Sequence, residues 1–194
     1  MGKRIILASA SPRRRELMKL ICPDYECITS DCDESFSEKL TPENVVKELS
    51  RRKAGAVAYN VKDDAVVIGA DTIVSLDGKI LGKPASQHEA LSMLRRLSGR
   101  MHRVYTGLAF YVVESGKCTL LENYYVVSDV HFDELGDEEI EEYIASGEPM
   151  DKAGAYGIQG LGAKFVRSID GDYFNVVGLP ENSVYKTLKR NGVL

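Results

Sequence analysis

Histidine and cysteine are scarce in this chain, and neither is spaced to hold a metal. The three histidines, His88, His102 and His131, form no pair at ligand spacing. The four cysteines, Cys22, Cys27, Cys32 and Cys118, include no C-x-x-C. A structural zinc is therefore not expected, and free thiols are. No apolar run approaches the roughly 20 residues needed to cross a bilayer, so no membrane partner is expected. Met1-Gly2-Lys3-Arg4 leads into the apolar stretch Ile5–Ala8, which is too short for a signal peptide. A cytoplasmic location is the expectation. Charge of one sign is lacking too: 25 Lys+Arg stand against 29 Asp+Glu, a net charge of −4. With no basic stripe, nucleic-acid binding is not expected either. Internal repeats, low-complexity tracts and linkers are missing. So are the phosphate-binding patterns G-x-x-x-x-G-K-[ST] and G-x-G-x-x-G.

What is there is an ordinary globular composition: 194 residues, 44% hydrophobic and 28% charged. That length suits one domain or two small lobes. Strand and helix patterns alternate. Arg4–Ala8 reads as a strand, Pro12–Ile21 as a helix and Tyr25–Thr29 as a short strand. Thr41-Pro42 opens a second helix. Ala65–Val74 is a continuous apolar run, read as a strand buried on both faces. Asp77-Gly78 is a hairpin turn returning through Lys79–Leu81. Ser86-Gln87-His88-Glu89 is a capping box for a helix that stops at Gly99. Two long strands, Arg103–Val113 and Thr119–Phe132, flank a turn at Ser115-Gly116-Lys117. A helix at Asp137–Ala145, a glycine-rich loop, a strand at Phe165–Ile169 and a last helix from Pro180 complete the chain. The expected class is α/β with a mixed, twisted sheet. The long hairpin is a candidate second lobe beside a cleft.

Three stretches carry chemistry. The first is Ser9-Ala10-Ser11-Pro12-Arg13-Arg14-Arg15. Ser11 reads as an N-cap and Pro12 as the first helical residue. Backbone N–H groups, two hydroxyls and guanidinium forks gather there, as a polyanion site requires. A well-capped surface helix with solvated arginines fits equally. The second is Asp71, in Val66-Val67-Ile68-Gly69-Ala70-Asp71-Thr72-Ile73-Val74. A carboxylate in such a strand is costly unless it is paired, hydrogen-bonded or metal-bound. General base and metal ligand are its open functional roles, against a structural Asp bonded to backbone. The third is Lys152–Gly160, where Gly154, Gly157, Gly160 and the nearby Gly162 permit close backbone approach. Its Gln159 offers a donor and an acceptor on one amide, suited to a base edge. A ligand loop and a plain connector are both open readings.

Weaker signals surround these. Lys83 is a point charge for phosphate or a surface lysine. Asp31, Asp33, Glu34 and Glu38 make an acidic loop, of the kind that supplies one or two carboxylates to Mg²⁺. Of Arg51, Arg52 and Lys53, one is expected to turn inward and the others to be solvated.

Taken in order, Ser9-Ala10-Ser11-Pro12-Arg13-Arg14, Gly69-Ala70-Asp71-Thr72, Gly82-Lys83-Pro84 and Lys152-Ala153-Gly154-Ala155-Tyr156-Gly157-Ile158-Gln159-Gly160 resemble the signature series of the Maf family. These are nucleoside triphosphate pyrophosphatases, once described as septum-formation inhibitors. The resemblance implies a single domain over residues 1–194, or two lobes. It implies a long mixed sheet flanked by helices with a deep cleft, like the inosine triphosphate pyrophosphatases. It implies hydrolysis between the α- and β-phosphates with a divalent cation, Mg²⁺ or Mn²⁺. Carried over by position, the catalytic carboxylate falls on Asp71 and the specificity positions on Arg13, Thr72 and Gln159. Further pocket positions fall on Ser9, Glu34, Lys53 and Lys83. In the mechanism this suggests, the Ser9–Arg14 turn, Arg14 included, binds the phosphates, and Glu34 and Asp71 are the expected metal ligands. Glu34 and Lys53 rest on looser local matches. The loop at Lys152–Gly160 is similar to the branch acting on dTTP and UTP rather than 7-methyl-GTP, and modified pyrimidine nucleotides are compatible with it. The competing class is a non-enzymatic nucleotide-sensing regulator of cell division. A phosphatase with an aspartyl nucleophile is disfavoured, because Ile73 stands where its second Asp belongs. A homodimer is compatible with the sequence, although no motif supports one.

Overall fold

The computed structural model of the chain describes residues 3–37 and 39–194; Met1, Gly2 and Glu38, the last of the acidic-loop residues, lie outside them. The chain begins with β1 (Arg4–Ala8), α1 (Pro12–Ile21), β2 (Glu26–Cys27) and α2 (Pro42–Ala58). It continues through β3 (Ala65–Leu76), β4 (Lys79–Leu81), α3 (Gln87–Leu97), β5 (Met101–Glu114) and β6 (Lys117–Phe132). It ends with α4 (Asp137–Ala145), β7 (Val166–Asp170), α5 (Tyr173–Val177) and α6 (Glu181–Arg190). The described strands form one mixed sheet in the order β2-β1-β3-β5-β6-β7, with β4 paired to β3. β1 runs parallel to β2 and β3, whereas β3–β4 and β6–β7 are antiparallel. The expected α/β class holds. No helix of the described residues is long and apolar enough to cross a membrane, and all four cysteines are free.

The chain falls into two compact units. The first is Met1–Asp71, Thr106–Val126 and Gly178–Leu194; the second is Thr72–Tyr105 and Val127–Val177. The hairpin of β5 and β6 is therefore shared between the units rather than forming a lobe of its own.

In the first unit α2 lies on the sheet. Side chains alternate along a strand, so Ala65, Val67, Gly69 and Asp71 share one face of β3. Ala65 and Val67 are buried with Ala54, Val57 and Ala58 of α2 and with Ala109, Tyr111 and Val113 of β5. The helix comes closest where the sheet has no side chain. A Cβ at Gly69 would stand 2.4 Å from the Ser50 carbonyl oxygen and 2.6 Å from the Ala54 nitrogen. One at Gly107 of β5 would stand 2.1 Å from the Val46 oxygen. Thr41 precedes Pro42 as expected but makes no side-chain cap bond, so the opening of α2 owes more to this packing.

The second unit packs α3 and α4 on a core that includes Leu94, Leu97, Phe132, Ile140, Tyr143, Tyr156 and Phe165. α3 is capped as its sequence predicts: Ser86 Oγ accepts from Glu89 N at 3.2 Å. The return bond of the box shifts by one residue, with Ala85 N donating to Glu89 Oε2 at 2.7 Å. His102 is buried here, with Nε2 2.8 Å from Tyr156 Oη and its ring edge-on to Phe132. Its Nδ1 has no partner among the described residues. Burial, with a smaller contribution from His131, pushes the imidazole down to about 3.

Two predictions follow from this packing. Gly69→Ala should cost about 1–3 kcal/mol in urea unfolding, because backbone rather than a flexible side chain must move. Gly82→Ala, whose Cβ would meet nothing within 4 Å, should stay within about 0.5 kcal/mol of the parent; equal costs would refute the close-approach account. The second concerns pH. His102 is neutral in the fold and ionises in the unfolded chain below its ordinary value. Its contribution is complete above about 6.5 and is lost as pH falls toward about 3. In that window the parent should lose up to about 1.4 kcal/mol per pH unit more than His102→Gln. Parallel stability curves for the two proteins between pH 7 and 4 would be the contrary result.

Candidate active site

The turn after β1 is built from hydroxyls. Ser9 is buried, and its Oγ accepts from Ser11 N at 3.1 Å. Ser11 then caps α1, its Oγ accepting from Arg14 N at 3.4 Å. Pro12 follows at the first helical position, so the predicted N-terminus is realised to the residue. The three arginines part company. Arg13 is half-buried, and its guanidinium has no partner among the described residues. Arg14 Nε donates to the Gly178 carbonyl at 2.8 Å. Burial pulls the Arg14 guanidinium below its ordinary value, while Asp71 and Glu34 oppose that and Arg13 adds to it. Arg15 is half-buried, and its Nε is buried without a partner among the described residues.

Asp71 ends the first unit's stretch of β3, and its side chain is 9% exposed. Its partner is Lys53, whose Nζ donates to Oδ1 at 2.6 Å. The close approach of α2 at Gly69 accounts for this pairing. Lys53 directly precedes Ala54, which lies over Gly69, and Asp71 is the next residue on Gly69's face. Lys53 Nζ also meets Glu34 Oε1 at 3.1 Å. One ammonium thus gathers two carboxylates from distant parts of the sequence.

The acidic loop has its own supports. Asp33 accepts from Ser35 N at 2.8 Å and from Ser35 Oγ at 2.6 Å. Arg52 Nη1 donates to the Ser35 carbonyl at 2.7 Å and the Asp33 carbonyl at 3.3 Å. Arg52 therefore brackets Glu34 on both sides instead of being solvated. Arg51 forks onto Glu48. Of the three consecutive basic residues, Lys53 is the one that turns inward.

In the second unit Thr72 is half-buried, while Lys83 and Gln159 are exposed. The segment after β4 and the glycine-rich loop are joined directly: Gly154 N donates to the Gly82 carbonyl at 3.0 Å. A Cβ at Gly154 would stand 2.9 Å from Val74 Cγ1, so the loop lies against β3 two residues beyond Thr72. The amide of Gln159 has no partner among the described residues.

A family model described as Maf-like protein matches residues 4–191. The chain belongs to the Maf family. A dTTP/UTP pyrophosphatase of Clostridium novyi (strain NT) is 50% identical over 191 residues, covering 98% of each chain. A dTTP/UTP pyrophosphatase of Bacillus cereus (strain B4264) is 46% identical over 188 residues, covering 97% of this chain and 95% of its own. Among solved structures, a nucleoside-triphosphatase / dITP/XTP pyrophosphatase of Mycobacterium abscessus covers 98% of each chain at 12% identity and a TM-score of 0.41, too low to bear on the fold.

Within this Maf-family chain, sequence reasoning underrated Lys53 and missed Arg52 as the support of Glu34. The signal for Lys53 was available in the spacing. Lys53 and Leu49 stand four apart, and Lys53 borders the inward Ala54 and Val57.

The ion pair yields a stability test. Lys53→Met strands the Asp71 carboxylate and should cost about 3 kcal/mol in urea unfolding at pH 7. Adding Asp71→Asn should return more than half of that loss. Simple additivity of the two substitutions would mean that the pair is not coupled.

Proposed function

We propose that this chain is a nucleoside triphosphate pyrophosphatase acting on dTTP, UTP and related pyrimidine nucleotides. The observation that carries the proposal is a buried Asp71 carboxylate held by Lys53 at 2.6 Å. The dTTP/UTP pyrophosphatases at 50% and 46% identity supply the chemistry and the substrate class. Asp71 takes a proton from water. The water oxygen bonds to the α-phosphorus, and the bond from that phosphorus to the oxygen bridging the β-phosphate breaks. The products are the monophosphate and pyrophosphate. Arg13, whose guanidinium has no partner among the described residues, and Lys83 bind phosphate oxygens. Ser9 and the capped start of α1 add hydrogen-bond donors. Arg14 contributes its charge while its Nε holds the Gly178 carbonyl. Thr72 and Gln159 read the base, and a buried base edge left unpaired penalises the wrong nucleotide.

The donor set fits a divalent cation, Mg²⁺ or Mn²⁺. Glu34 and Asp71 already share one cationic neighbour in Lys53, and two carboxylates plus substrate phosphates suit a hard ion. When bound, such an ion neutralises charge on the phosphate oxygens. We also infer a cytoplasmic location, where these nucleotides are found. A nucleotide sensor would use the phosphate donors but has no need of a buried carboxylate, which favours the enzyme.

The decisive assay is pyrophosphate release with Mg²⁺ or Mn²⁺ across the ribo- and deoxyribonucleoside triphosphates, with 5-methyl-UTP and 7-methyl-GTP added. Release is expected from dTTP, UTP and 5-substituted relatives. Asp71→Asn should lower turnover about 10²–10⁴-fold while remaining folded. Orthophosphate as the product, or a fully active Asp71→Asn, would sink the proposal.

A further inference from the structure

Among the described residues the Gln159 side chain has no partner, so its position is set by the backbone on either side of it. That backbone is held by two residues outside the loop. Glu148 opens a short 3-10 turn, Glu148–Asp151, just after α4. Its Oε2 accepts from Leu161 N at 2.8 Å, and its Oε1 accepts from Gly162 N at 3.2 Å. On the other flank, Gly157 N donates to Tyr143 Oη at 3.1 Å. The two holders are joined, since Tyr143 Oη donates to Glu148 Oε1 at 2.9 Å. A single Glu–Tyr pair therefore grips both ends of the segment that carries Gln159.

The pair is itself anchored. Glu148 N donates to Ser146 Oγ at 3.2 Å, and the Glu148 carbonyl accepts from Lys152 Nζ at 2.8 Å. Leu161 and Gly162 open the 3-10 turn Leu161–Phe165, so the carboxylate acts as a non-local cap on their free N–H groups. Burial works against the charge on Glu148. The Leu161 and Gly162 N–H groups, with Tyr143 and Lys152, outweigh it and hold the carboxyl below its ordinary range.

The glycines of the loop report the same contact. A Cβ at Gly160 would stand 2.3 Å from Glu148 Oε2. One at Gly157 would meet Lys152 Cε at 2.6 Å, and one at Gly162 would meet Tyr143 Oη at 2.8 Å. These glycines make room for the clamp.

We propose that Glu148, with Tyr143, is a positioning residue for base selection, fixing the Gly157–Gly162 backbone so that Gln159 presents its amide in one place. The inference rests on the reading of Gln159 as a base reader, and the experiment separates the two. Base preference is measured as the ratio of kcat/KM for dTTP to that for dATP in the parent, Gln159→Ala, Glu148→Ala, Glu148→Gln, Tyr143→Phe and the double variant Glu148→Ala/Gln159→Ala. Amide hydrogen exchange across residues 157–162 and melting temperature are recorded for each.

In Glu148→Ala the ratio should fall at least tenfold, chiefly through KM for dTTP, with faster exchange at residues 157–162. Glu148→Gln keeps one acceptor oxygen and should recover part of the ratio. Tyr143→Phe removes only a hydroxyl and should shift the ratio the same way by a smaller factor. The double variant should select no worse than Gln159→Ala alone. A folded Glu148→Ala with the parental ratio, or with equal losses on both nucleotides, overturns the proposal and leaves Gln159 as the reader. An unchanged ratio in Gln159→Ala overturns both readings. If Glu148→Ala does not fold, Glu148→Gln and Tyr143→Phe decide, and parental ratios in both overturn the proposal.

Discussion

The contact on which the first unit depends is the approach of α2 to β3 at Gly69. A side chain there would lift the helix, since its first atom would lie 2.4 Å from a backbone oxygen. With hydrogen in that place, Ala54 drops onto the strand and Lys53 comes down beside Asp71. Burying an ion pair does little for net stability, because desolvation consumes most of the attraction. The pair is therefore poorly explained as a stabilising device. A core of this composition would be served as well by two apolar side chains of similar size. What the arrangement achieves is a carboxylate held next to a cation, in a strand that lies between β1 and β5 in the sheet.

The second unit reaches a comparable result by another route. There the charged group is Glu148, and its carboxylate is held by backbone N–H groups and the Tyr143 hydroxyl rather than by an ammonium. Glycine again marks a close approach, of a carboxylate at Gly160 and of helix backbone at Gly69. In both units a residue without a side chain is the condition for a neighbouring charged side chain to be held. The close approach expected of this loop is met at Gly160 by the protein's own carboxylate.

Much of this was legible in the sequence. β1, α1 and α4 were read with their observed boundaries, and in α1 cap, proline and apolar period all agree. β3 ran two residues beyond its apolar core, to Leu76. β2 shrank to Glu26–Cys27, since only Ile6 and Leu7 of β1 pair with it. α5 was missed altogether. It has five residues, too few for a helical period, and its signal is local: Phe174 N donates to Asp172 Oδ1 at 2.8 Å. The site followed the same division. Asp71 stood out because a carboxylate in an apolar strand is an anomaly visible in one dimension. Arg52 and Glu148 did not, because the contacts that matter here, Arg52 to the Asp33 and Ser35 carbonyls and Glu148 to the Leu161 and Gly162 N–H groups, are to main-chain groups, which leave no pattern in the sequence.

The two contacts of Lys53 are unequal, and the inequality assigns their roles. The side chains of Lys53 and Asp71 are 11% and 9% exposed, whereas that of Glu34 is 63% exposed. Solvent and salt screen the outer contact, which is also the longer one at 3.1 Å. The inner contact is shielded from both, so its strength does not depend on ionic strength to the same degree. Asp71 is consequently held by Lys53 whatever Glu34 does. Glu34 is held instead by its loop, through the Arg52 bonds on either side of it. On the proposed reading, Glu34 would turn its exposed carboxylate toward a cation without unfolding the loop that supports it. Asp71, fixed by a buried ammonium, would keep its place as it did so.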